Sequence, residues 1–187
     1  ALRETASQHG CTYTPIAENL AWGTSFTFQK WNLTVESRSI GQPSDSGSSN
    51  IQEITRWQAE LTSPARFPLW IGPRLSGNSD LSASFGIPFL SKFGVANLPP
   101  GNLKETDLGI PELSKRYVVL ADPQMDPAMV RMTAIPRNLL EWSDKSRPLI
   151  IVSPDTIEIT INGLHLKKPL DIERLVLLGE AVLSISQ

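Results

Sequence analysis

Cysteine is almost missing from this chain: Cys11 stands alone among 187 residues. One thiol makes no internal disulfide, and with only His9 and His165 to join it no zinc site assembles. His9 and Cys11 are close in sequence, but two residues are not a ligand set. Cys11 reads as a small buried thiol beside a helix end. The lack of disulfides leaves the compartment open, since a chain of this length builds a core without them. Charge is sparse as well, at 19% of residues with a formal net of −2. No cluster of Lys and Arg offers the positive stripe that phosphate backbones need, so nucleic acid is not an expected partner.

Long apolar runs are also absent. None reaches the roughly 18 residues that a membrane-crossing helix needs. The opening ALRETASQHG has neither an initiator Met nor a signal-peptide pattern, the look of a chain cut from something longer. G-x-S-x-G, H-E-x-x-H, the P-loop and the dinucleotide glycine pattern do not occur, so neither a cofactor nor a metal is expected.

What is present fills a core. Apolar residues make up 40% of the chain, enough for a single domain over residues 1–187 and against global disorder. Leu2, Thr5 and Ala6 have helical spacing, and Gly10 stops that helix as a left-handed cap. The period then changes to two. Phe26 and Phe28 alternate with Thr27 and Gln29, and Leu33 and Val35 with Thr34 and Glu36, with a bend near Lys30 and Trp31. Residues 41–50, GQPSDSGSSN, read as a solvated loop. Trp57, Ala59 and Leu61 then mark one face of a further strand. RFPLWIGPR reads as an extended piece that Pro68 and Pro73 keep out of the centre of any sheet.

Residues 75–115 form a long Gly- and Pro-rich loop between a β-rich N-terminal half and a β-α-β-β-α C-terminal half. The loop also holds Phe85, Ile87, Phe89, Leu90, Phe93 and Val95, too many large apolar groups for a linker. Beyond it, Tyr117–Leu120 reads as a strand, followed by helical pieces from Pro127 and from Pro136. Leu149–Val152 and Thr156–Ile161 make a hairpin around Ser153-Pro154-Asp155. Asn162-Gly163 ends it or turns it into a short strand through His165 and Leu166. Asp171 is the expected N-cap of a last helix, apolar nearly all round and so bound for the core. The fold expected is α+β: a mainly antiparallel sheet with the C-terminal helices packed on one face.

The acidic residues after Tyr117–Leu120 raise the question of chemistry. Asp122 and Asp126 each precede a proline. Turn and cap duties account for both: Asp122 closes a turn on its own backbone, and Asp126 receives the free amides of the helix beginning near Pro127. A hydrolase built on Asp122, Asp126 and His165 is therefore the least favoured of three readings. His165 has no orienting acid or nucleophile to work with. Asn32-Leu33-Thr34 matches the glycosylation triplet, a pattern common by chance. Four of the five tryptophans, Trp22, Trp31, Trp57 and Trp70, fall in the N-terminal half; core packing is the default for them.

The order of features in RYVVLADPQMDPAMVRMTAIPRNLLEWSD, IIVSPDTIEITI and DIERLVLLGEAVLSI resembles the soluble part of a diffuse family of uncharacterised, often membrane-anchored bacterial proteins. The resemblance covers about the last 70 residues, and more loosely residues 10–40, and rests on pattern. It implies no reaction, and it implies contact with a membrane only through a segment outside this chain. The leading expectation is a non-enzymatic interaction or sensing domain, in the manner of an extramembrane module, with a protein partner or small ligand. The alternative is a small-molecule or peptide binder in which Trp31, Trp70, Phe89 and Phe93 line a site and the 75–115 loop is the lid.

Overall fold

The period-two stretches become neighbours in one sheet. The computed structural model describes residues 2–8, 10–40, 50–74, 102–163, 166 and 168–186. Its strands are β1 (Thr12–Ala17), β2 (Ala21–Thr27), β3 (Trp31–Ile40), β4 (Asn50–Glu60), β5 (Leu69–Pro73), β6 (Lys104–Glu105), β7 (Tyr117–Ala121), β8 (Leu149–Val152) and β9 (Thr156–Asn162). They form a single nine-stranded sheet in the order β1-β2-β3-β4-β9-β8-β5-β7-β6, and every pairing is antiparallel. The helices are α1 (Leu2–Gln8), α2 (Pro111–Arg116), α3 (Ala128–Arg131), α4 (Ile135–Leu140) and α5 (Pro169–Ser186). The expected α+β class, with C-terminal helices on one face, is what the chain adopts.

Register explains why one face is the core. Tyr13, Phe26, Leu33, Trp57, Ile159, Ile150, Ile71 and Val119 stand directly opposite one another in turn, one from each of eight neighbouring strands. Side chains alternate across a strand, so this file faces one way. All but the half-buried Tyr13 are buried. Helix α5 packs on β4 and β9. Its buried residues include Ile172, Leu175, Val176, Leu178 and Val182, and Gly179 lets it settle on the Trp57 indole: a Cβ there would stand 2.3 Å from the ring. Trp57 is fully buried, tilted against Trp31 with centroids 6.1 Å apart.

Several local expectations hold. The N-terminal helix closes as read: Cys11 N–H donates to Ala6 O and Gly10 N–H to Ser7 O, with Gly10 at φ 65. This is a Schellman stop, in which the left-handed residue must avoid a Cβ clash. Cys11 itself is half-buried, and burial pushes its thiol pKa up, with Glu180 adding to the effect.

Other expectations are corrected. β5 lies inside the sheet, between β8 and β7, although Pro68 and Pro73 argued against that. The prolines bracket the strand instead of interrupting it. Pro68 precedes it, and β8 pairs only with Leu69, Trp70 and Ile71, so Pro73 costs that ladder no hydrogen bond. The last helix starts at Pro169, which suits a first helical position. Asp171 is thus in the first turn instead of at the N-cap, where it pairs with Arg174 at 3.5 Å. Leu166 belongs to no strand. β1 is not legible as a strand in the sequence because Pro15 breaks its pattern. Of the loop expected at 41–50, Asn50 opens β4 and 41–49 lie outside the described residues, as do 75–101 and His165; within 102–115 the chain forms β6 and begins α2.

Candidate binding site

The tryptophans singled out in the sequence are not brought together. Trp31 lies on the inner face, between Phe28 and Trp57. Trp70 lies on the outer face with Val118 and Leu149, its ring over Gly72. Phe89 and Phe93 fall outside the described residues. Asp122 and Asp126 sit where turn and cap chemistry puts them: Gln124 N–H donates to Asp122 Oδ1 at 2.8 Å and Ala128 N–H to Asp126 Oδ1 at 2.9 Å. Among the described residues no three His, Cys, Asp or Glu side chains gather to hold a metal.

A pocket of about 360 Å³ opens instead where β6, β7 and α2 meet. Its floor is apolar: Leu108, Leu113, Tyr117 and Val119 are buried members of the main core. The polar lining is Arg74, Glu105, Thr106, Asp107 and Ser114. Local sequence builds this corner. Asp107 Oδ1 accepts from Gly109 N–H at 2.9 Å, closing a turn in which Gly109 adopts φ 69. Pro111 then opens α2, as a residue without an amide proton readily does. The helix carries Ser114 back to Asp107, where its hydroxyl donates to the same Oδ1 at 3.1 Å.

Arg74, just past β5, reaches over this turn. Its Nε donates to Ser114 O at 2.9 Å and its Nη2 to Glu105 Oε1 at 2.7 Å. Two bonds fix the plane of the guanidinium, and its Nη1 has no partner among the described residues. Tyr117 OH donates to Leu139 O at 3.1 Å. Burial drives its pKa far up, against the smaller pull of Arg116 and Arg147, so the phenol stays neutral.

A second layer of arginines holds the corner from behind. Arg147 Nη1 donates to the carbonyls of both Arg74 and Arg116, each at 3.1 Å. Arg116 in turn caps the end of α4 through the carbonyls of Leu140 and Trp142. Asp144 pairs with Arg147 at 2.7 Å and with Arg116 at 3.1 Å. The hydrogen bond from Arg147 and its charge hold the Asp144 carboxyl below the usual carboxylate range.

None of Arg74, Asp107 or Ser114 stood out in the sequence. The readable signal was Asp107-Leu-Gly109 followed by Pro111, a turn feeding a helix start, hidden inside what looked like one long loop. Compared with family models, with curated proteins and with solved structures, the chain finds no match. No helix among the described residues is long and apolar enough to cross a membrane.

Proposed function

We propose that the chain is a non-enzymatic sensing or interaction domain that takes a small ligand in the Arg74 pocket. The observation that carries this reading is the fixed guanidinium above an apolar floor, its Nη1 without a partner among the described residues. A preset donor recognises an oxygen-bearing anionic group with little ordering cost. The pocket's volume falls at the lower end of small-molecule sites, roughly 300–1,000 Å³. Two of its other polar groups are already engaged: the Ser114 hydroxyl on Asp107 Oδ1, the neutral Tyr117 phenol on Leu139 O. That arrangement suits recognition better than proton transfer.

A thermal-shift panel of small carboxylates, phosphates, amines and zwitterionic amino acids tests the proposal. A ligand at 100 times its Kd adds about 2.7 kcal/mol to the folded state. The expected result is a ligand that raises the Tm of the natural protein and not of Arg74→Gln. A panel without such a compound ends the reading.

A second reading, contact with a protein partner, is favoured by Leu20, Trp22 and Ile51. They are 62%, 45% and 55% exposed and close to one another at one end of β2, β3 and β4: Ser37 stands opposite Trp22, Ser39 opposite Ile51, and Ser39 N–H donates to Leu20 O. Trp22→Ser should abolish capture of a partner in a pull-down if this surface is used.

A further inference from the structure

We infer that the ligand of the Arg74 pocket is a free α-amino acid with an apolar side chain; this rests on the reading of that pocket as a binding site. The charges of the lining come first. Arg74 supplies one positive charge, and Glu105 and Asp107 supply two negative ones, a balance of −1. A ligand carrying only an anionic group meets repulsion there, and one carrying only a cation leaves the guanidinium Nη1 unused. A zwitterion answers both.

The spacing follows from a single residue. Arg74 is anchored on the Ser114 carbonyl oxygen and Asp107 on the Ser114 hydroxyl, at 2.9 Å and 3.1 Å. Both charges are therefore gathered around one residue, yet no ion pair joins Arg74 to Asp107, which leaves a gap between them for a ligand. The carboxylate and ammonium of an α-amino acid are likewise borne on one carbon. Asp107 spends Oδ1 on Gly109 and Ser114, and its Oδ2 has no partner among the described residues, so it is open to an ammonium. The buried floor of Leu108, Leu113 and Val119 then receives an aliphatic side chain.

Isothermal titration of the full chain with L-leucine, N-acetyl-leucine and leucinamide tests this directly. Leucine is expected to bind, and blocking either its amine or its carboxylate should weaken binding about tenfold or more, the weight of one charged hydrogen bond. Arg74→Gln should lose leucine by a similar factor. So should Asp107→Asn, which keeps the Oδ1 acceptor for Gly109 and Ser114 and removes only the charge. Circular dichroism melting confirms that both variants are folded. Equal affinity for leucine and either blocked form overturns the inference. If N-acetyl-leucine or leucinamide binds in an Arg74-dependent way and leucine does not, the amino-acid assignment falls while the pocket stands. If none of the three binds, the inference falls, and the thermal-shift panel alone decides the pocket.

Discussion

Two stretches of the outer face of the sheet differ, although one row of residues joins them. Thr12, Thr27, Asn32, Gln58 and Glu158 stand opposite one another in turn; the same row then continues through Ile151, Trp70 and Leu120. On β1–β4 and β9 the outer side chains are mostly polar, and those of the middle of the row bond to each other. Asn32 gathers Ser25, Thr27 and Thr34, and Glu158 gathers Arg56, Gln58 and Thr160. On β8, β5 and β7 they are apolar, and Trp70, Val118 and Leu149 are buried there. A strand with one wet face alternates, as β3 does from Trp31 to Ser37; a strand covered on both faces reads as an unbroken apolar run, as LIIV, LWI and YVVLA do. Periodicity thus reports how many faces are covered, beyond reporting that a strand exists.

Packing on the two faces can be broken separately. Trp57→Ala, on the inner face, should cost about 3–5 kcal/mol in urea unfolding, because a fully buried indole leaves a cavity. Gly179→Ala should cost about 1–3 kcal/mol by forcing α5 off that ring. Gly72→Ala offers the outer-face counterpart, since a Cβ there would meet the Trp70 ring at 2.2 Å. A neutral Gly72→Ala would show the outer cluster to be loosely packed.

A finer contrast uses one pair of side-chain types in both directions. Val118→Thr should cost about 1–3 kcal/mol, the penalty of burying a hydroxyl without a partner. Thr34→Val, on the polar stretch, should stay within about 0.5 kcal/mol. Equal costs would erase the distinction between the two stretches.

The edge strand β1 sharpens it further. Glu18 and Ala21 exchange both of their backbone hydrogen bonds, so in β1 the groups of Tyr13, Pro15 and Ala17 face away from β2. Pro15 therefore deletes the central donor of that edge, a device against edge-to-edge pairing. Pro15→Thr should leave stability in dilute solution nearly unchanged and produce concentration-dependent association in sedimentation experiments.

The smallest effect belongs to Asp144, which is exposed. Its folded pKa lies below the ordinary value of 3.8, so its contribution is present above that value. The contribution is lost as pH falls through the lower folded one. The natural protein's advantage over Asp144→Asn should be constant near neutrality and fade below about pH 4 in acid titration followed by circular dichroism.

How much of this was legible depended on distance along the chain. The β2–β3 bend, the β8–β9 hairpin, the Gly10 stop and the roles of Asp122 and Asp126 are set by residues a few positions apart, and all were readable. The place of β5 is hidden in the sequence because its prolines, Pro68 and Pro73, stand at the strand ends, where the bar on proline in strand interiors does not hold. The strand order was beyond local pattern, because nothing near β4 or β5 announces that β9 and β8 will come between them. The pocket was hidden for the same reason: Arg74 and Ser114 are 40 positions apart, and only the pairing of β5 with β7 joins them.

That insertion sets an order of assembly. β4 and β5 follow each other in sequence but are separated in the sheet by residues 149–162. Until those residues have been synthesised, each of the two strands carries a bare inner edge, and the sheet is two unjoined pieces. The hairpin that closes the gap is local and forms fast, yet both of its flanks are long-range pairings, the slow step of β folding. A chain shortened before Thr156 would therefore keep the β4 edge and the edge facing it open in the middle of its sheet, free to pair with another copy.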